Sequence, residues 1–581
     1  MDPSSQAAPS DRGVGEHAPA DARRRIGVAL AAVTAAAFAL RFAALDRLLP
    51  VHPEPDASMV WVLRSMAGET VENLGLHQDV YPSLLPRLAS LSLLWAPLEP
   101  APPDASLAEH LAAASAPFVK LRALGAALAA LAAPLTFALA RSFLGARAAL
   151  LAALLLATSL LHVAQSSVAK PHAAAATFIA LTLVLALRQL RTPTLGAVAL
   201  TTLGALLATS TLQTGLFVLP AMAVSALLLR DVPRRVRLAA LAAPVIVATV
   251  GPGSLLSRLS FDSEGVTMGT GHVIEFAALN GEGLVAWLRM LWENDPALSL
   301  LAFLGGLFAL AATARGWRDP ARRGAALVVL SFAAPYLLLL ALDQRVNDRY
   351  LLPLYPVAAV LAAAGVAGVA AKLTSGAGRA AWSTVATVAC ALPAVCFTWI
   401  GCRADTFEQL ASWLQAQPAD TERRLNLTPS VVPPLFPTQK SVRRQSETSS
   451  GASQPWIRYL SRLERTTEFD AAWEMRALPL NLFGRAVSAE DIVEHFTLRP
   501  PGFIVIENSA RTSVWPGAEQ FLATVRANSD RLATFSAEDG RYSGALPIDY
   551  QGAPDLALRA VCANCLGPDL EVYRWRSSSE R

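Results

Sequence analysis

Apolar runs close to 20 residues long recur through most of the chain, and they limit its fold more than any other feature. A helix needs about 20 apolar residues to cross a bilayer, and lipid offers no partner for backbone N–H and C=O groups outside a helix or a closed barrel. Eleven runs can be drawn, at approximately 26–45, 119–140, 146–164, 172–188, 194–210, 214–230, 238–252, 297–314, 324–342, 350–371 and 380–401. Only 16% of the residues are charged, against about 25% in soluble domains. The net charge of +4 is small, and no basic stripe with interleaved aromatics occurs, so a nucleic-acid partner is excluded.

The charges between the runs set an orientation. Arg23, Arg24 and Arg25 precede the first run. Arginine clusters return at every second connection: Arg141 and Arg147; Arg188 and Arg191; Arg230, Arg234, Arg235 and Arg237; Arg315, Arg318, Arg322 and Arg323; then Lys372 with Arg379. The loops between them are mixed or acidic, which is the positive-inside pattern. An odd number of spans then puts the N-terminus in the cytosol and the C-terminal tail outside, in an inner (plasma) membrane. Residues 1–22, rich in Ala, Pro, Ser and Asp, read as a disordered cytosolic tail. The first run is too long for the core of a signal peptide and reads as an uncleaved helix.

This gives a mainly α, polytopic membrane protein with about eleven transmembrane helices over 23–402 and a small exoplasmic α/β domain over 403–581. Two exoplasmic loops are long, 46–118 and 253–296. Stretches 57–68 and 84–96 read as short helices along the interface. The second loop carries Asp262, Glu264, Glu275, Glu282, Glu293 and Asp295, acids that belong in water or in a site. In the tail, 405–416 has helical apolar spacing, 503–507 and 570–573 read as strands, and 438–455 as a mobile polar loop. Cys562 and Cys565 form a lone C-x-x-C, open to a local disulfide or to two incidental thiols.

Polar residues that could carry chemistry gather on one face. His52-Pro53-Glu54-Pro55-Asp56 follows the first span. A carboxylate there, beside apolar helices, is expected to be desolvated and raised in pKa toward a useful general base. Asp56 is equally well placed to cap a following helix. Tyr81-Pro82-Ser83-Leu84 comes next, then Lys170-Pro171-His172 at an exoplasmic turn, then Arg349-Tyr350-Leu351-Leu352-Pro353 opening the tenth span. Arg349 and Arg345 can hold a phosphate bidentately, Lys170 as a point charge, and all three could instead snorkel at the interface. Trp61 reads as an interfacial belt residue, and Tyr81 is open between a belt and a pocket role.

The order and shared side of His52-Pro53-Glu54, Tyr81-Pro82-Ser83-Leu84 and Arg349-Tyr350-Leu351-Leu352-Pro353 resemble the dolichyl-phosphate-mannose-type glycosyltransferases. That family includes the protein O-mannosyltransferases and the lipid A aminoarabinose transferases. The resemblance covers roughly 26–400 and implies a GT-C-like fold. It also implies inverting transfer of a sugar from a polyprenyl-phosphate donor to an acceptor hydroxyl. The acceptor itself is not identified. Glu54 aligns with the first of two adjacent family acids, Pro55 replaces the second, and Asp56 follows one place late. The resemblance makes Glu54 or Asp56 the base, and His52, Tyr81, Lys170, His172, Arg345 and Arg349 candidates for substrate binding. His52, His77 or His272 could join these acids on a divalent ion, although no metal-ligand spacing occurs. Rival classes are a transporter or flippase of lipid-linked sugars, and an inactive membrane-anchored binding protein. Spans nearly free of internal charge, with Arg41 near the outer end of the first, speak against ion-coupled transport.

Overall fold

The structure, a computed structural model, describes residues 20–52, 54, 58–68, 81–250, 259–261, 265–268, 272–275, 281–316, 319–342, 347–418, 422–447, 454–463, 472–478, 488–499, 501–510, 517–538, 541–542, 544–549 and 552–576. Asp56, His77, Arg345 and residues 1–19 of the N-terminal tail lie outside them.

Every apolar run folds as helix. The first half of the chain gives α1 (Ala20–Phe42), α2 (Ser58–Met66), α3 (Leu84–Ser90), α4 (Leu107–Ala130), α5 (Ala132–Ala140), α6 (Ala146–Ala157) and α7 (Leu160–Ser166). It continues with α8 (His172–Arg191), α9 (Leu195–Thr211), α10 (Leu219–Leu228) and α11 (Arg234–Val250). After an antiparallel sheet of β1 (Leu259–Phe261), β2 (Gly265–Met268) and β3 (His272–Glu275) come α12 (Glu282–Asn294), α13 (Pro296–Gly316) and α14 (Pro320–Leu342). A 3-10 turn, Asp348–Leu354, leads into α15 (Tyr355–Lys372), and α16 (Gly376–Gly401) ends the bundle.

Among the described residues six helices are long and apolar enough to cross a membrane, or seven if α6 and α7, bent by 52° at their junction, form one span. The count of eleven is not confirmed by length: several apolar helices, such as α9 with 17 residues, are shorter than the about 20 residues of an ordinary span. Small residues fill the bundle core. Ala149, Ala152, Ala176, Ala205, Ala359 and Ala363 are buried and let backbones approach closely.

The C-terminal part is a five-stranded sheet in the order β5–β4–β6–β8–β7. Its strands are β4 (Arg424–Leu427), β5 (Glu474–Ala477), β6 (Phe503–Glu507), β7 (Ser529–Phe535) and β8 (Leu570–Trp575). β4 pairs in parallel with β5 and β6, whereas β8 runs antiparallel to β6 and β7. β6 is buried along its whole length, as suits a central strand whose first four residues are apolar; its last, Glu507, is buried as well. The expected helix at 405–416 is α17 (Thr406–Gln415), closed by a capping box between Asp405 and Glu408. The expected loop at 438–455 instead holds α18 (Gln439–Ser446), so polar composition concealed a short amphipathic helix. Next comes α19 (Pro455–Leu463). Cys562 and Cys565 are both free thiols.

One apolar cluster joins the two parts. Leu48, Val51, Leu160, Val163 and Phe397 of the bundle pack with Phe407, Leu425, Trp456, Val505 and Val572 of the C-terminal region. The expectation that 57–68 lies along the interface is overturned: Met59, Val60, Trp61, Leu63 and Arg64 of α2 are all buried. Trp61 is held between the guanidiniums of Arg64 (5.3 Å) and Arg458 (4.2 Å) and is not a belt residue.

Candidate active site

Glu54 is fixed by a cation from inside an apolar run. Arg122 of α4 donates through Nη2 to Oε2 at 2.5 Å and through Nε to Oε1 at 3.2 Å. Oε1 also accepts the backbone N–H of Ala169. The other arm of Arg122, Nη1, donates to the carbonyls of Leu45 (2.7 Å) and Arg47 (3.0 Å). One guanidinium thus ties the exit of α1, the acidic loop and α4 together. Both partners are nearly buried, with side chains 3% and 4% exposed. Burial alone would raise the Glu54 carboxyl, but the charge and hydrogen bonds of Arg122 and the Ala169 N–H outweigh it and hold it down at about 2. The expectation of a raised pKa is therefore overturned for Glu54.

The turn after α7 carries the next groups. Ala169 reaches Glu54, and Lys170 beside it is only 2% exposed, so it does not snorkel. His172 opens α8, and its ring lies 5.8 Å from Tyr81 and 5.7 Å from Tyr350. Tyr350 in turn lies under the Arg349 guanidinium at 5.3 Å. Arg349 is likewise buried. Its neighbour Asp348 accepts from the Gln165 amide (3.3 Å) and from the Arg349 backbone N–H (2.6 Å). Arg47 completes the frame, donating to Ser167 Oγ at 2.6 Å and to the Ala164 carbonyl at 3.0 Å.

Five of the candidate residues, Glu54, Tyr81, Lys170, His172 and Arg349, therefore meet around the 164–172 segment. His52 points elsewhere: its Nε2 pairs with Asp549 of the C-terminal region at 3.1 Å, and its ring stacks on Phe407 at 5.6 Å. Asp56 and Arg345 lie outside the described residues, as does the side chain of His272 on β3. Among the described residues no three His, Cys, Asp or Glu side chains group to hold a metal ion. Both Glu54 oxygens and the His52 Nε2 are engaged by protein partners.

Sequence reasoning passed over Arg122 and Asp348, and named Arg41 and Asp295 without a structural role. A signal was present for Arg122 and Arg41: each is a charge inside an apolar run, and such a charge rarely faces lipid. Asp295 was read only as one acid in a loop, yet it is 4% exposed and accepts four hydrogen bonds.

A family-model match agrees with the family resemblance, over a part of the chain that holds Tyr81-Pro82-Ser83-Leu84 but neither Glu54 nor Arg349. Residues 72–236 match the family model described as dolichyl-phosphate-mannose-protein mannosyltransferase. No curated protein matches the sequence. Among solved structures, the archaeal oligosaccharyltransferase AglB from Archaeoglobus fulgidus, in complex with an inhibitory peptide and a dolichol-phosphate, aligns over 92% of this chain and 75% of its own at 12% identity and a TM-score of 0.46. ArnT from Cupriavidus metallidurans bound to undecaprenyl phosphate aligns over 88% of this chain and 96% of its own at 14% identity and a TM-score of 0.39. By the family match, the chain is similar to membrane glycosyltransferases that use polyprenyl-phosphate-linked sugars.

Proposed function

We propose that the chain transfers a sugar from a polyprenyl-phosphate-linked donor to an acceptor hydroxyl at the exoplasmic membrane face, with inversion at the sugar carbon. The observation that carries this reading is the convergence of two buried cations, Lys170 and Arg349, on the segment that also holds the acidic first loop. The donor phosphate lies against Lys170 and Arg349, with Tyr81, His172 and Tyr350 lining the adjoining wall. The acceptor oxygen attacks the anomeric carbon from the opposite side. The bond from that carbon to the phosphate oxygen breaks, and the electron pair leaves with the polyprenyl phosphate, whose new charge the two cations stabilise.

A first-loop carboxylate takes the acceptor proton. Glu54 is committed to Arg122, and a carboxylate held at about 2 is a weak base. In this reading Asp56 takes the proton and Glu54 orients the loop. The test is sugar transfer from radiolabelled polyprenyl-phosphate sugars in membranes, wild type beside Asp56→Asn and Glu54→Gln. Loss of a general base lowers the rate by roughly 100-fold or more. Asp56→Asn is expected to show that loss in folded protein. Full activity of Asp56→Asn would move the base to Glu54, and a wild type that consumes no donor across the panel would remove the enzyme reading.

A further inference from the structure

The bend between α6 and α7 is terminated by opposite charges. A helix broken inside a bilayer leaves carbonyls at the end of one half and N–H groups at the start of the other, with no water to satisfy them. Arg41 of α1 serves the first set. Its Nη1 donates to the Ala157 carbonyl at 2.9 Å and its Nη2 to the Leu156 carbonyl at 3.5 Å, the last two residues of α6. Nη2 also meets His162 Nδ1 at 2.8 Å. A guanidinium only donates, so Nδ1 accepts and His162 carries its proton on Nε2.

Asp295 serves the second set. It accepts the backbone N–H groups of Leu160 (2.8 Å) and Leu161 (3.0 Å), the first two residues of α7. Ser159 Oγ and Tyr355 Oη, each at 3.0 Å, complete its shell. A cation thus faces the negative end of one half-helix and a carboxylate the positive end of the other, the arrangement both helix dipoles favour. Neither charge comes from the broken helix itself: one belongs to α1, the other to the residue before α13.

We propose that Arg41 and Asp295 are positioning residues for sugar transfer, which fix the bend and thereby aim the 164–172 segment at the donor phosphate. The inference rests on the reading of the site given above. That segment supplies the Ala169 N–H to Glu54, the Gln165 amide to Asp348, the Ala164 carbonyl to Arg47, and both Lys170 and His172. A bend without its charges straightens or frays, and all these groups shift together.

Two readouts test this in the full-length protein in nanodiscs. The first is maleimide labelling of Ser166→Cys, a buried position, in a background with the five native cysteines replaced. The second is affinity for undecaprenyl phosphate. Asp295→Ala and Arg41→Gln are expected to speed labelling and weaken affinity, each by roughly tenfold. Arg41→Lys, which still brings a cation to the carbonyls, restores most of both. Asp295→Asn keeps one acceptor oxygen and gives an intermediate result should Asp295→Ala not fold. Unchanged labelling overturns the charge-terminated bend. Faster labelling with unchanged affinity overturns its role in positioning. A wild type without affinity for undecaprenyl phosphate overturns the donor reading itself, and labelling still reports on the bend.

Discussion

Glu54 and Arg122 hold the acidic loop as a buried, bidentate ion pair, and its energetics set what substitutions there will do. Removing one partner leaves the other charge buried and uncompensated, which costs about 3–5 kcal/mol. Arg122→Gln is therefore expected to lower the thermal unfolding temperature in detergent sharply. The double variant Glu54→Gln/Arg122→Gln should be less destabilised than the sum of the singles, because neither charge is then stranded. The pH dependence has a definite sign. The Glu54 pKa in the folded state, about 2, lies below its ordinary value of 4.5. The stability this pair supplies is complete above the ordinary value and is lost as pH falls toward the folded value. Thermal unfolding between pH 5 and 8 should show no titration from Glu54, and a midpoint near neutrality would contradict the pairing. Glu54 itself was legible from His52-Pro53-Glu54, but its partner was not. Arg122 sits 68 residues away in sequence within an apolar run, and only the packing of α4 against the first loop brings them together.

Helices were readable because their apolar runs are long; what joins and breaks them was not. The junction of α6 and α7 has neither proline nor glycine, and its one local mark is Ser159, which caps α7 by accepting the His162 N–H. The remaining groups at the bend are met by tertiary contacts, from Arg41 and Asp295. The pair α13 and α15 shows the opposite case, in which small residues set the contact. A Cβ on Gly305 would collide with the Leu361 carbonyl, and one on Gly365 with the Leu301 carbonyl. These backbones touch through their glycines, the close approach that small residues permit between membrane helices. Overpacking of this kind costs about 1–3 kcal/mol. Gly305→Ala is expected to lower thermal stability by that order. It should also disturb the Asp348–Leu354 turn that leads into α15 and carries Arg349. Gly306→Ala, where an added Cβ meets nothing within 4 Å, is the matched control and should be neutral or slightly stabilising. Equal unfolding temperatures for the two variants would show that the glycine contact does not set the helix spacing.

The C-terminal region is bolted to the end of the bundle that carries the site, a relation no local pattern in the chain could reveal. His110 Nδ1 meets Tyr459 Oη at 2.9 Å, and the same hydroxyl accepts the Ala101 N–H at 3.0 Å. Arg458 stacks on Trp61, and His52 pairs with Asp549. Asp549 of the C-terminal region thus reaches the acidic loop through His52. In the reading proposed above, the donor's hydrocarbon enters from the bilayer and the acceptor from water, and the His52–Asp549 pair borders the second approach. Asp549→Ala should therefore lower transfer to the acceptor while affinity for undecaprenyl phosphate stays at the wild-type value. A hydrogen bond to a charged group contributes about 1.5–3 kcal/mol, so the rate should fall by roughly tenfold or more. Asp549→Asn, which still offers His52 an acceptor oxygen, should recover part of the loss. Equal loss of donor affinity and transfer in Asp549→Ala would instead mean that the C-terminal region supports the whole site, and that the two approaches are not separately controlled.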